Sequence, residues 1–487
     1  MNKTLARFAL AALPALLLSA CNGNGASGVS GLTPASGAPT AVHHRGRFGP
    51  NDNGPQDLHA GGADPPFYGY TLGNQPVGDY NQAQSPPAQG SLFYAAPTQG
   101  TIYYCETSSG DGRKAFYGSG DSGFPPTGPC APLGASPTGF GGRQDPLDFT
   151  VSNVALTSTE YGLYKSVREP SSGTNWGEPF EWPQMGNSIV YPFRPQDFKA
   201  QTKVIKLSTW TYCAIANGTI SDWNDPAITA DNGKSVTGGN SETIIFYFRA
   251  DSAGLTYNYT YHLNTACNAA WQKPFNAPPY ESPSHTAAWS FGVNQTWPGP
   301  GSSSDPNVNF IGETGEPGIL AAIQSTPWAT GYLSGSTVKP ANPKVSQAWL
   351  QSGFKKKKPW FIDPLSKKAL TKTFGSLTAS DITYGEGSDE QPLGTSTPWC
   401  ILYIDPSKYA TPPAGSYPIV LLNFALFYGQ NNGVHVTDKI ALIKFLNSAA
   451  ANKIATKLEY GVVSNNLHTA VINALNGQGS SQPACLQ

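Results

Sequence analysis

The segment Ile244-Ile245-Phe246-Tyr247-Phe248-Arg249-Ala250-Asp251-Ser252-Ala253-Gly254-Leu255-Thr256 constrains the fold of this chain more tightly than any other. Its leading apolar run, Ile244 to Phe248, shows no alternation, which fits a strand covered on both faces. From Leu255 onward the period changes: Leu255, Tyr259, Leu263 and Cys267 recur every four residues, as one face of a helix does. The switch falls between Asp251 and Gly254, so a buried strand delivers Arg249 to a helix start. Asp251 or Ser252 is expected to cap that helix. The N–H groups of Ala253, Gly254 and Leu255 are then left free where the helix dipole favours negative charge. Arg249 adds a forked, permanently charged donor. Two readings fit the segment taken alone: an anion site, or an Arg249–Asp251 pair on a surface turn.

Composition limits what surrounds this unit. A chain of 487 residues can bury one or two substantial cores, yet 53 glycines, 43 prolines and only 13% charged residues imply many long loops. The formal net charge of −1 offers no basic field for nucleic acid. Lys3 and Arg7 precede the apolar run Phe8 to Leu18 and the tetrapeptide Leu18-Ser19-Ala20-Cys21. That order is expected of a lipoprotein signal peptide over residues 1–20, with Cys21 acylated and several acyl chains anchoring an exported protein to the bacterial envelope. No later stretch approaches the ~20 apolar residues of a membrane span. Residues 21–57, mostly small and polar, read as a disordered tether.

Setting Cys21 aside leaves six cysteines, an even set in an exported chain, and three disulfides are the expectation. Fifteen pairings are open; the sequential one, Cys105 with Cys130, Cys213 with Cys267 and Cys400 with Cys485, closes one contiguous segment each time. The absence of Cys-x-x-Cys disfavours a redox or zinc site. Residues 118–145 are a second Gly/Pro-rich stretch, expected as a surface insertion, and Lys355 to Lys358 reads as a solvated loop. Further on, Trp399 to Ile404 and Tyr417 to Phe427 look like strands. Two helices follow, one marked by Ile440, Ile443, Phe445 and Leu446 with Thr437 or Asp438 as cap, the other by Leu467, Val471 and Leu475 and ended by Gly477. Strands alternating with helices indicate an α/β architecture.

Asn217-Gly218-Thr219-Ile220-Ser221-Asp222-Trp223-Asn224-Asp225-Pro226-Ala227-Ile228, followed by the strand and Arg249-Ala250-Asp251-Ser252-Ala253-Gly254, resembles the phosphate-binding proteins of ATP-driven bacterial importers. That family has Gly-x-Ile-x-x-Trp-Asn-Asp-Pro-Ala-Ile before Arg-x-Asp-Gly-Ser-Gly-Thr. Asp148-Phe149 before Ala155 to Tyr161, Gly315 to Tyr332 and the C-terminal helices match in order, so the likeness spans roughly residues 60–476. The resemblance implies a type II periplasmic binding protein fold: two α/β lobes, each a mixed sheet flanked by helices, closing on an oxyanion in the cleft. Residues 58–190 are expected in lobe 1, 191–375 in lobe 2 and 376–487 back in lobe 1. The implied ligand-binding residues are Asp64 and Pro65 in the first loop, Ser109 and Asn153 from lobe 1, and Arg249, Ala253, Gly254 and Leu255 from lobe 2.

The match is incomplete where the ligand would sit. Asn153 falls at an aspartate that accepts a hydrogen bond from protonated phosphate; Ala253 and Leu255 replace a serine and a threonine, Ser108 a glycine, and Asp64 a threonine. Two lost hydroxyl bonds to a charged ligand are worth about 1.5–3 kcal/mol each, or roughly 10²- to 10⁴-fold in affinity. A carboxylate about 4 Å from a phosphate charge costs on the order of 4 kcal/mol at an effective dielectric of ~20, unless one of the two carries a proton. Weak phosphate binding, or a different ligand, is therefore expected.

Enzymatic readings find little support in the residues. Gly120-Asp121-Ser122-Gly123 looks like a serine-protease nucleophile segment, but no matching histidine segment accompanies it. The seven histidines show no metal-ligand spacing, and a phosphatase-like activity, proposed for some relatives, lacks a nucleophile and a metal cluster. The reading is a non-enzymatic, cofactor-free solute-binding lipoprotein that hands phosphate or a related oxyanion to an importer permease. The alternative is a surface-anchored interaction protein reusing the fold.

Overall fold

The computed structural model describes residues 57–74, 85–118, 130–131, 139–140, 147–169, 176–199, 204–267, 289–341, 344–355, 358–429 and 435–486. Cys21, the tether and the Gly120–Gly123 tetrapeptide lie outside them, as does all of the 118–145 insertion except Gly118 and the short paired segments Cys130–Ala131 and Gly139–Phe140.

Two sheets organise the site. The larger has seven strands, in the order Leu333–Ser334, Pro179–Val190, Val420–Tyr428, Phe149–Ser152, Leu58–Gly62, Ile102–Glu106, with Gly461–Val462 also on Pro179–Val190. It is mixed: Leu58–Gly62 runs parallel to both neighbours, while Val420–Tyr428 is antiparallel to the strands flanking it. Every residue of Pro179–Val190 and of Val420–Tyr428 is buried, which is why these sequences lack polar alternation.

The smaller sheet is wholly parallel, with Ile245–Arg249 central between Phe310–Glu313 and Ala329–Gly331. A central parallel strand needs cover on both faces, and Phe246 and Phe248 stack on Trp297 while Phe246 also meets Phe310 and Tyr332. The chain passes from the smaller sheet to the larger at Gly331–Leu333, and at Val190–Pro192 it leaves the larger sheet for a two-stranded ribbon of Pro192–Phe193 with Ser346–Gln347. Among the described residues no helix is long and apolar enough to cross a membrane.

The tryptophan motif braces the Arg249 strand. Trp223 is buried, and its indole N–H donates to the carbonyl of Trp328, next to the strand Ala329–Gly331. Asp222 accepts from the Asn224 and Glu242 N–H groups, and Asp225 caps the helix Pro226–Asn232 with proline in its first turn. The Ile244 N–H then donates to Ser221, fixing where the strand begins.

Cys213–Cys267 and Cys400–Cys485 are joined; the Cys105–Cys130 pairing falls outside the described side chains. The C-terminal region carries three helices, Val436–Leu446, Ala449–Lys457 and Asn465–Asn476, where two were expected. The middle one escapes notice because its Ala/Asn/Lys composition leaves few large apolar residues to mark a face. Thr437 and Asp438 are not the cap of Val436–Leu446; they lie inside it, and His435 stands at the cap position with φ 71° and no side-chain cap bond. Asp438 instead accepts from Gln99 and Gly100 N–H. The expected strand Trp399–Ile404 shortens to Leu402–Ile404 because Pro398–Cys400 forms a 3-10 turn.

Candidate functional site

The strand Ile245–Arg249 ends on a fully buried guanidinium, with 0% of the Arg249 side chain exposed. A permanent charge there requires partners on every side. Arg249 Nη1 donates to Asp64 Oδ2 at 2.7 Å and Nε to Asp251 Oδ1 at 2.7 Å, while Nη2 donates to Asp251 Oδ2. The Arg249 backbone N–H reaches the hydroxyl of Tyr332, which also bonds Thr256. The Arg249–Asp251 pair anticipated as a surface turn thus exists, but inside the protein.

Three helix N-termini converge on this pair. The first belongs to Ser109–Tyr117, capped by Ser108, and the second to Gly254–His262. They meet closely: a Cβ added at Gly254 would lie 2.7 Å from both Ser109 Oγ and Asn153 Cβ, and one added at Gly110 would lie 3.4 Å from the Ser252 carbonyl. The third helix, Gly315–Ser325, has no side-chain cap of its own. Its first N–H groups donate across the site, Gly315 to Asp251 Oδ1 at 2.9 Å and Glu316 to Asp64 Oδ2 at 3.4 Å. Both carboxylates therefore serve Arg249 and a helix dipole at once.

The cap expected from Asp251 or Ser252 is not made, since Ala253 holds the N-cap position without a side-chain bond. Asp251 is drawn away by the guanidinium two residues back, a stronger partner than a backbone N–H. Nor is the Ala253 N–H free; it donates to the Gln295 carbonyl at 2.9 Å.

The sequence-derived residues separate into those the fold gathers and one that faces elsewhere. Asp64, Arg249, Ala253, Gly254 and Leu255 lie at the convergence, with Leu255 and Ala253 burying their side chains. Ser109 and Asn153 bond each other, the Asn153 N–H donating to Ser109 Oγ at 3.1 Å and Ser109 Oγ to Asn153 Oδ1 at 3.0 Å. Asn153 Nδ2 is spent on Asn423. Pro65 turns its carbonyl outward to Asn187, Ser336 and Tyr460, locking the loop that carries Asp64.

Several neighbours were not anticipated. Glu316 is fully buried, with Oε2 held by the Ser334 N–H and hydroxyl and Oε1 without a partner. Glu106 ends the strand Ile102–Glu106, and Thr107 beyond it buries an unpartnered hydroxyl. Arg113, one helical turn past Ser109, pairs with Glu160 at 2.9 Å and donates to Ser152 and Gln295. Asn258 ties the Asn153 and Gly254 carbonyls together at 2.8 Å each. The available signal was a glutamate closing an otherwise apolar strand and another in a helix first turn beside the Gly-Ile match, both ordinary in a sequence.

Charge is unevenly balanced here. Burial, reinforced by Glu316 and Asp251 and opposed by Arg249, pushes the Asp64 carboxyl up to about 7. Desolvation and the charges of Asp64 and Glu316 push Glu106 well above its usual range. Burial also acts to raise Asp251, but Arg249 and the Gly315 N–H hold it below the ordinary value.

A PBP superfamily domain matches residues 101–448, so the chain belongs to that superfamily of binding proteins. The chain is 28% identical over 217 residues to phosphate-binding protein PstS2 of Mycobacterium bovis, covering 44% of this chain and 45% of that one. It is 25% identical over 297 residues to phosphate-binding protein PstS 3 of Mycobacterium leprae, covering 60% and 63%. These alignments span less than two thirds of either relative's length. Among solved structures, an ancestral soluble variant of the human phosphate binding protein superposes with a TM-score of 0.60 at 18% identity, covering 88% of this chain and 96% of that one. The phosphate binding protein of Stenotrophomonas maltophilia gives 0.57 at 18%, with the same coverage. Their two-lobed fold is the fold of this chain.

Proposed function

We propose that this protein is the solute-binding component of an ATP-driven importer, capturing phosphate or a related oxyanion in the cleft and presenting it to a permease. One observation carries the reading: a fully buried, permanently charged guanidinium at the meeting point of three helix N-termini, which is a built anion cradle. The relatives named for phosphate binding support the ligand class. The donors are Arg249 and the first N–H groups of the Gly254 and Ser109 helices, which survive the exchange of the family's hydroxyls for Ala253 and Leu255. In this reading residues 58–190 and 376–487 form one lobe and 191–375 the other, Cys21 carries the lipid anchor, and capture requires no catalysis.

Calorimetric titration of the chain from Gly23 onward, unfolded and refolded to strip ligand, with phosphate, arsenate and sulfate tests this. Binding that is lost in Arg249→Lys, which keeps the charge but not the fork, supports an oxyanion receptor. No binding of any of the three ions refutes it.

A further inference from the structure

Arg249 shares its fork with two carboxylates. Nη1 donates to Asp64 and Nε and Nη2 to Asp251, which leaves one N–H on each terminal nitrogen, and an oxyanion approaching them meets carboxylate oxygens on both sides. Asp64 is faced by Arg249 and Asp251 from the end of the central strand, by Glu316 from the start of the Gly315 helix and by Glu106 from the end of its own lobe's strand. One guanidinium stands among these four acidic groups, and Asp111 in the first turn of the Ser109 helix also acts on Arg249 and Asp251. Asp64 cannot retreat either. The Phe67 N–H binds the Asp64 carbonyl, and the next carbonyl, Pro65, is held by Asn187, Ser336 and Tyr460. With the backbone pinned, only a proton can relieve the repulsion between Asp64 and an arriving anion.

We propose that Asp64 is the specificity-determining residue of this cleft: it admits an oxyanion only together with a proton, which lies between the Asp64 carboxylate and the ligand in the bound state. The inference rests on the capture reading above and names the ligand species as protonated tetrahedral oxyanions, hydrogen phosphate and hydrogen arsenate ahead of sulfate. A ligand that carries its own proton donates it to Asp64; sulfate, fully ionised, must have the proton taken from solvent onto Asp64. The fully buried Glu316 Oε1, which has no donor, is a second acceptor beside the same carboxylate, and the unpartnered Thr107 hydroxyl lies on the loop leading to Ser109. The Glu316 acceptor suits a ligand bearing an O–H group rather than bare oxygens, while the Thr107 hydroxyl can meet either. Burial has already moved Asp64 to about 7, and a bound anion moves it further up, so ligand and proton bind together above that pH.

The test is calorimetry of wild type, Asp64→Asn and Asp64→Thr with phosphate and with sulfate at pH 5.5, 7.0 and 8.5, each in two buffers of different ionisation heat. For sulfate the ratio of variant to wild-type affinity is expected to grow by about tenfold per pH unit above neutrality, with wild type taking up close to one proton per sulfate bound at pH 8.5; for phosphate, which brings its own proton, the ratio is expected to stay nearly constant over the same range. Sulfate binding confined to the two variants at pH 8.5 supports the same conclusion. A sulfate ratio that stays constant from pH 5.5 to 8.5, with no proton uptake by wild type, overturns the role of Asp64 and leaves capture standing. Absence of binding by all three proteins at every pH overturns capture, and this inference with it.

Discussion

Replacing Arg249 with methionine keeps most of the side-chain volume and removes the charge that Asp64 and Asp251 share. Both carboxylates then remain in the protein, Asp64 with 3% of its side chain exposed and Asp251 with 21%. Each pair is worth on the order of 4 kcal/mol at about 4 Å and an effective dielectric of ~20; breaking a buried pair by removing one member costs about 3–5 kcal/mol in total. The cost must depend on pH. In wild type the Asp64 carboxyl is raised to about 7, so the native state binds a proton there that the unfolded chain releases above its ordinary 3.8. Stability from this group is highest below pH 3.8 and falls as pH rises through 7. Asp251, held below its usual value, contributes the opposite way: its stabilisation is present above 3.8 and is lost as pH falls through its depressed value. Arg249 is what holds both carboxyls down, so at pH 8 Arg249→Met removes the partner of two carboxylates that are ionised in wild type, and at pH 5 mainly that of Asp251. Urea unfolding should therefore show a loss of about 3–5 kcal/mol at pH 8 that shrinks at pH 5, and Arg249→Met/Asp64→Asn should recover part of the pH 8 loss. A loss below about 1 kcal/mol at pH 8, the range of an exposed pair, or an equal loss at both pH values, would refute the buried cluster.

Gly254→Ala places a methyl 2.7 Å from Ser109 Oγ and Asn153 Cβ, an overlap of about 1–3 kcal/mol where two helix N-termini meet; the urea midpoint should fall by a corresponding amount, and an unchanged midpoint would contradict the close approach. His262 is buried between Tyr212 and the Ala410 carbonyl, and burial lowers it from 6.5 to about 4. The unfolded chain thus takes a proton between those values that the native state refuses, so its share of stability is complete above pH 6.5 and about 2 kcal/mol smaller at pH 5; His262→Gln should flatten that part of the urea-midpoint profile between pH 7 and 5. Cys485→Ser opens a loop with a sequence separation of 85 residues, for which about 2–5 kcal/mol is expected; an unchanged thermal midpoint would show the C-terminal segment to be held by packing alone.

What the sequence disclosed, and what it hid, follows from the range of each interaction. The strand-to-helix switch at Arg249 was legible because a change of period is local, and the Trp223 motif because its turn and cap bonds span only a few residues. Asp64 is 185 residues from Arg249, so its place at the site came from a family register rather than from any local pattern. Glu106 and Glu316 could not be told from ordinary acidic residues until two strands and a helix brought them beside Asp64. The two helix starts differ from expectation for a related reason: at Ala253 and His435 no side-chain cap is made, with Asp251 drawn to Arg249 and the Gly315 N–H and Asp438 to the Gln99 and Gly100 N–H groups.

The departures from the family pattern also lose their appearance of random erosion once Asp64 and Asp251 are seen to donate nothing and accept everything. The Gly315 helix lacks a cap of its own and uses these two carboxylates instead, so Asp64 pairs with a helix dipole and a guanidinium simultaneously, which offsets part of the cost of burying its charge. Threonine at that position could satisfy neither as a charge. An acid there pairs with both in the unliganded cleft and raises the barrier to a bare anion, and the substitution of Asn153 for the family's aspartate fits the same redistribution. With Asn153 consumed by Ser109 and Asn423, the acceptor we propose for a ligand's proton lies not at the Phe149–Ser152 strand end but on the loop after Leu58–Gly62. Reversing both positions together, Asp64→Thr with Asn153→Asp, keeps one acidic acceptor and changes only its location, so selection for a protonated ligand should persist if the acceptor's presence sets the selectivity and should be lost if the loop position is required.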